Sequence, residues 1–148
     1  MDIAVLPEGS YGDAVALWNK TGLTRPWNEP SADLHRAVSG PSSTVLAALD
    51  TGELLGTAMV GHDGHRGWVY YLAVHPVRQR QGIGRALMHA SEQWVRDRGI
   101  PKIQLMVRDT NPAAAAFYAS LGYEDAKVTV LGRFLSTAAD TGDASDRA

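Results

Sequence analysis

The stretch from Trp68 to Arg98 constrains this chain more than any other. A β-branched and aromatic run, Trp68-Val69-Tyr70-Tyr71-Leu72-Ala73-Val74, stops at His75-Pro76. A basic loop with Arg78, Arg80, Gly82 and Gly84 follows. Ile83, Leu87, Trp94 and Val95 then recur at helical spacing and predict a helix from about Ile83 to Arg98, closed by Gly99. A strand, a glycine-rich cationic loop and a helix N-terminus form a site for a phosphorylated ligand. Loop amides converge there, the helix dipole favours negative charge, and glycine admits close backbone approach.

The spelling of the loop narrows the ligand. A Walker loop needs Gly-x-x-x-x-Gly-Lys-Ser/Thr, and no such pair occurs. A dinucleotide fingerprint needs a third glycine, where this chain has Leu87; this disfavours a nicotinamide oxidoreductase. What remains is Gln79-Arg80-Gln81-Gly82-Ile83-Gly84-Arg85. Read alone, it is also compatible with an ordinary strand-to-helix turn whose arginines face water.

A chain of 148 residues predicts one domain, expected over 1–136, with a polar, disordered tail over 137–148. Fourteen Lys and Arg against sixteen Asp and Glu leave a net charge of −2, which argues against broad nucleic-acid binding. The loop arginines are therefore a local feature. Cysteine is absent, so thiolate metal sites and an acyl-cysteine intermediate are excluded, and no metal is expected. No apolar run approaches the ~20 residues of a membrane span, and Met1-Asp2-Ile3-Ala4-Val5 lacks the character of a signal peptide. The expectation is a cytoplasmic protein without membrane or nucleic-acid partners; a homodimer is compatible with everything in the sequence.

Strands are expected at Ile3–Leu6, Val45–Leu49, Leu54–Val60, Trp68–Val74 and Lys102–Val107, with one or two closing strands in Tyr123–Leu135. Helices are expected from Ser10 or Gly12-Asp13 to near Gly22, from a Ser31 cap through Val38, after Gly82, and from Asn111-Pro112 to Gly122. The order is β-α-α-β-β-β-α-β-α-β-β: an α/β protein with a mixed central sheet of six to seven strands and about four helices. The strand-helix-strand unit around the loop should be parallel and right-handed.

Asn111-Pro112-Ala113-Ala114-Ala115-Ala116-Phe117-Tyr118-Ala119-Ser120-Leu121-Gly122-Tyr123 resembles Asn-x-x-A-x-x-Phe-Tyr-x-x-x-Gly-Phe/Tyr, a signature of the GCN5-related N-acetyltransferase (GNAT) superfamily. The Gln79–Gly84 loop resembles that superfamily's acetyl-CoA pyrophosphate loop, and the element order matches the GNAT fold from residue 1 to about 136. Leu23–Pro30, Gly61–Gly67, Tyr70-Tyr71-Leu72 and Pro101–Gln104 look like the YpeA-type branch of bacterial GNAT proteins. The resemblance implies an N-acetyltransferase that moves an acetyl group from acetyl-CoA directly to a primary amine of a small molecule or a protein N-terminus. The alternative is a non-catalytic acyl-CoA-binding sensor or interaction module of the same fold.

The resemblance also implies roles for single residues. Gln79, Arg80, Gln81, Gly82, Ile83, Gly84 and Arg85 would hold the pyrophosphate, mainly through amides. Backbone groups of Leu72, Ala73 and Val74 would meet the pantetheine and thioester, with the Val74 amide polarising the thioester carbonyl. Tyr118 would act as general acid toward the leaving thiolate, and Asn111 would cap its helix and touch the cofactor. The strand before the loop carries no carboxylate where many members place a Glu base. Acceptor-side candidates are Trp27 as an apolar or cation-binding wall, and Glu29, His62, Asp63 and His65 as bases; each is also a plausible turn residue. Without a base, water must take the proton. At pH ~7.5 an α-amine of pKa near ~8 is about one-quarter neutral and a lysine near ~10.4 only about one-thousandth, which favours a low-pKa amine.

Overall fold

Nearly continuous apolar runs between Val45 and Val74 build the centre of the sheet, and the turns that separate them set the strand order. The structure, a computed structural model, describes residues 1–135; the expected tail at 137–148 lies outside the described residues. Met1–Arg108 and the described residues from Asp109 onward form two compact units.

The first unit holds a five-stranded sheet in chain order: β1 (Asp2–Val5), β2 (Ser43–Asp50), β3 (Glu53–His62), β4 (Gly67–Val74) and β5 (Ile103–Leu105). β1 to β4 pair antiparallel, and β5 joins β4 in parallel. Helices α1 (Tyr11–Lys20), α2 (Pro30–Ser39) and α3 (Ile83–Asp97) belong to this unit. The sheet is mixed, as expected. Pro30 stands first in α2 and Glu29 takes the N-cap position, two residues earlier than the Ser31 cap expected. Proline is well suited there, because its missing N–H is one that no helix could pair and its φ is already helical.

Two register shifts decide what faces what. Ala48 pairs Gly56 while Leu49 pairs Leu54, so Leu55 is an extra residue in β3. Thr57 pairs Ala73 while Met59 pairs Tyr70, so Ala58 stands opposite both Tyr71 and Leu72. Each bulge shifts the side-chain phase of its strand by one. As a result Leu54, Thr57, Ala73, Tyr71 and Met59 share one face with Trp18, Leu17, Leu34 and Ala37 of α1 and α2. Gly56 and Gly67 turn to the other face, where an added Cβ would sit 2.7 Å from the Ala73 carbonyl oxygen and 2.6 Å from Val95 of α3, respectively. The α3 side chains Ile83, Leu87, Met88 and Val95 are buried on that side.

The second unit carries α4 (Pro112–Ser120). Asn111 caps it as expected, its Oδ1 accepting from the Ala114 amide at 3.1 Å. The one or two closing strands expected in Tyr123–Leu135 are not formed, so the described sheet has five strands and not six or seven. Asp125 Oδ1 accepts from the Lys127 amide at 2.7 Å and Lys127 has φ of 55°, an Asx turn that breaks extended backbone in mid-segment. Val128, Val130, Leu131 and Leu135 are exposed.

Gly56→Ala is expected to lower stability by about 2 kcal/mol in urea unfolding, since its Cβ must push on backbone at the bulge. Gly12→Ala, with nothing within 4 Å of its Cβ, is expected to be neutral or to stabilise by about 0.5 kcal/mol.

Candidate functional site

The candidate donor side is built from backbone. β5 pairs only with Gly67, Trp68 and Val69, so Tyr70 to Val74 of β4 have no partner on that edge in β5. An unpaired strand edge is a ladder of amides and carbonyls that an extended, amide-bearing ligand can complete. The Leu72, Ala73 and Val74 backbone belongs to this stretch, with Ala73 buried. The strand leads through His75, whose Nδ1 accepts from the Val77 amide at 3.4 Å, and a 3₁₀ turn at Pro76–Arg78. Gln79, Arg80, Gln81 and Gly82 then form an exposed loop with two left-handed residues, Arg80 at φ 65° and Gly82 at φ 81°.

Gly82 is the N-cap of α3, and its carbonyl accepts from the Ala86 amide at 3.0 Å. The amides of Ile83, Gly84 and Arg85 lie in the first turn, where a helix has no internal acceptor for them. No acidic residue lies in that turn, and Arg80 and Arg85 are exposed beside it. Arg78 makes a 3.7 Å ion pair with Glu53. The loop therefore offers amides, a helix dipole and two cations to one anionic group.

An open cavity of about 660 Å³ on the α1/α2 face is the candidate acceptor side. The β4 bulge makes it: Trp68, Tyr70 and Tyr71 all line it, although consecutive strand residues ordinarily face opposite ways. Tyr71 sits at φ 51°, a left-handed conformation costing about 1–2 kcal/mol in a non-glycine residue. Its surroundings offset that cost. The ring stacks on Trp18 with centroids 4.0 Å apart, the hydroxyl donates to Asp33 Oδ2 at 2.8 Å, and the carbonyl accepts from Thr57 Oγ1 at 3.0 Å. Thr57 in turn accepts from the buried Trp18 indole at 2.8 Å. Burial, then the Asp33 hydrogen bond and charge, push the Tyr71 phenol well above its ordinary range. Asp33 also pairs with Arg36.

Asp63 closes the far end of the cavity. Its Oδ1 accepts from the His65 and Arg66 amides at 2.9 and 2.8 Å, and its Oδ2 from the Trp68 indole at 3.3 Å. The Arg66 and His65 amides hold its carboxyl at about 2. Burial and the Asp63 charge push the neighbouring Tyr70 phenol up. His62 Nδ1 accepts from the Gly64 amide at 3.0 Å.

Of the acceptor-side candidates, Asp63 and His62 line the cavity; Trp27, Glu29 and His65 are not among its lining residues, and Asn28 takes their place. Glu29 is exposed at the N-cap of α2. Asp33, Tyr70 and Tyr71 were missed. Tyr70 and Tyr71 stand in a continuous apolar run from Trp68 to Val74, which carries no mark of the bulge that lets both share a face. In the second unit Tyr118 lies half-buried on α4, its ring centroid 5.1 Å from Phe117 and 6.0 Å from Tyr123, and burial pushes its phenol up to about 12. Among the described residues no group of three or more His, Asp or Glu is placed to hold a metal ion, and no helix is long and apolar enough to cross a membrane.

Tyr71→Phe is expected to lower stability by about 1 kcal/mol in thermal or urea unfolding, because it leaves Asp33 Oδ2 without its donor. For Asp63 the carboxyl is lower in the folded chain, so its contribution to stability is present above the ordinary aspartate value of 3.8 and lost as pH falls toward about 2. Asp63→Asn should therefore flatten the stability–pH curve in that window; an unchanged acid limb would contradict the assignment.

Residues 13–123 match the model of the Acetyltransferase (GNAT) family. Among solved structures, the chain is similar to aminoglycoside antibiotic 6'-N-acetyltransferase AAC(6')-IG from Acinetobacter haemolyticus at 19% identity and TM-score 0.75, covering 91% of this chain and 99% of that one. It is similar to AAC(6')-Iy, solved with the bisubstrate analogue CoA-S-monomethyl-acetylneamine, at 16% identity and TM-score 0.76, covering 90% and 97%. A transcriptional regulator from Bacillus halodurans C-125 matches at 20% identity and TM-score 0.76, covering 90% and 99%. At these identities the structures report on the fold, and the family model reports on descent: the chain belongs to the GNAT acetyltransferase family.

Proposed function

We propose that this protein transfers the acetyl group of acetyl-CoA directly to a primary amine, of a small molecule or a protein N-terminus. Family membership makes it an N-acetyltransferase with acetyl-CoA as donor; direct transfer and the residue roles are our reading. The observation that carries it is the continuity of the unpaired β4 edge at Tyr70–Val74 with the amide-rich start of α3 at Gly82–Arg85. A pantetheine arm laid along that edge brings its diphosphate to the helix N-terminus. The proposal takes 1–136 as one functional domain, working in the cytoplasm.

In this reading Gln79 to Arg85 bind the pyrophosphate, with Arg80 and Arg85 adding charge-assisted contacts. The Leu72 and Ala73 backbone aligns the arm, and the Val74 amide stabilises the charge that develops on the thioester oxygen. The amine attacks the carbonyl carbon, the new C–N bond forms and the C–S bond breaks. Tyr118 donates a hydrogen bond to the departing sulfur. Its phenol at about 12 is a weaker acid than a thiol of pKa near ~8.5, so it shelters the thiolate while solvent supplies the final proton.

The amine proton goes to water. Strand β4 carries no carboxylate, and Asp33 is occupied by Tyr71 and Arg36. That route favours acceptors whose amine is partly neutral near neutral pH.

Thiol release from acetyl-CoA with a panel of amines tests the reading. Release is expected, with kcat lowered about 10–100-fold in Tyr118→Phe. Because burial holds the phenol protonated, kcat should rise as the acceptor amine loses its proton and show no Tyr118-dependent fall below about pH 11. A falling limb near pH 10 that vanishes in Tyr118→Phe would contradict this role. Calorimetric binding of acetyl-CoA without release on any amine would favour the non-catalytic sensor, and no binding at millimolar concentration would overturn both.

A further inference from the structure

We infer that the acceptor is a small-molecule amine carrying a second ammonium group, seated between Asp63, Trp68 and Tyr70 at the far end of the cavity from the bulge. This rests on the acetyl-transfer reading above and names its substrate class.

Charge around the cavity gives the first argument. Two carboxylates line it, Asp33 and Asp63, against one guanidinium, Arg36. Arg36 is already paired with Asp33, which also takes the Tyr71 hydroxyl, so that end is balanced. His62 also lines the wall, its Nδ1 accepting from the Gly64 amide. Asp63 is left as the one carboxylate lining the cavity without an ion pair in the structure. An acceptor bearing a carboxylate would meet a negative field with its only cation spoken for.

The chemistry of Asp63 gives the second. Its Oδ1 closes the turn by accepting two amides, a task an asparagine oxygen would perform as well. The negative charge is therefore surplus to the turn. Oδ2 takes only the long indole bond from Trp68, and a carboxylate oxygen has room for a second donor. Trp68 and Tyr70 lie beside it on the same wall, and aromatic faces attract an ammonium group. Tyr70 is 45% exposed, so the ring is available to a ligand.

Strand geometry gives the third. The thioester oxygen is proposed to meet the Val74 amide, while Asp63 is anchored to Trp68. Six residues of β-strand rise about 20 Å in total, shortened by the bulge and by the reach of the two groups toward each other, so the reacting amine and the second ammonium stand on the order of 10–15 Å apart. An ammonium held at Asp63 is thus too far away to be the nucleophile. It positions a different, neutral amine of the same molecule. Linear polyamines and amino-sugars both present amines at such spacings.

The test compares, with the wild-type protein, α,ω-diaminoalkanes of increasing length, monoamines of equal length, and amino-sugars with two primary amines, read as thiol release from acetyl-CoA. Diamines with nitrogens about 10–15 Å apart should show KM about tenfold below the matched monoamines. A lower KM in the linear series identifies a polyamine-type acceptor, and a lower KM with the amino-sugars an amino-sugar acceptor; either carries the second ammonium. Asp63→Asn, which keeps the turn's hydrogen-bond acceptor, should shrink the diamine preference about tenfold through KM, with kcat little affected. Equal KM for diamines and monoamines, or a preference unchanged in Asp63→Asn, overturns the inference while leaving acetyl transfer standing. No release with any amine in any series overturns the acetyl-transfer reading itself.

Discussion

The bulge that sets Tyr71 and Leu72 opposite Ala58 is the constraint on which the rest of the site depends. It places Tyr71 in a left-handed backbone conformation that a β-aromatic residue does not adopt without support. The support is specific: a stacked Trp18, an indole-to-Thr57 hydrogen bond inside the core, a Thr57-to-carbonyl bond, and a hydroxyl bond to Asp33. Helices α1 and α2 are therefore tied to the strand that carries the site by polar bonds as well as by apolar packing. Each is buried or half-buried, where an unmet partner would be costly.

In the proposed reading one strand serves two ligands. Its backbone edge beyond Val69 is open toward the donor, and the loop that follows delivers the first turn of α3. Its side chains on the α1/α2 face, brought into phase by the bulge, make the wall of the acceptor cavity. A regular β4 would turn one of Tyr70 and Tyr71 away from that wall. The donor side depends on amides and glycine conformations, the acceptor side on side chains. This explains why a short sequence pattern can speak for the donor and stay silent on the acceptor.

Much of the fold was legible because local chemistry punctuates it. Gly82 and Gly99 bracket α3, and Asn111-Pro112 spells the start of α4. The hairpins follow from Asp50-Thr51-Gly52 and from Asp63-Gly64. What escaped was set by non-local pairing. A single extra residue in a strand leaves no compositional mark, so the shared face of Tyr70 and Tyr71, and with it the role of Asp33, could not be read directly. Residues 123–135 have strand-like composition, yet β-propensity needs a partner, and the Asx turn at Asp125–Lys127 interrupts the run. Among the loop residues proposed at the acceptor entrance, Asp63 faces the cavity and Glu29 does not, a distinction made by α2 beginning at Pro30.

The central claim is that the donor lies along the Leu72–Val74 end of one bulged strand while the acceptor's second ammonium sits at its Trp68 end. Amide chemical shifts of the isotope-labelled protein, followed while acetyl-CoA is added, test it most directly. The account predicts perturbation of the Leu72–Val74 and Gly82–Arg85 amides, with the Arg66 amide and the Trp68 indole resonance unmoved until an amine is added. Perturbation beginning at Arg66 and Trp68, or a Gly82–Arg85 stretch that does not respond, would contradict it.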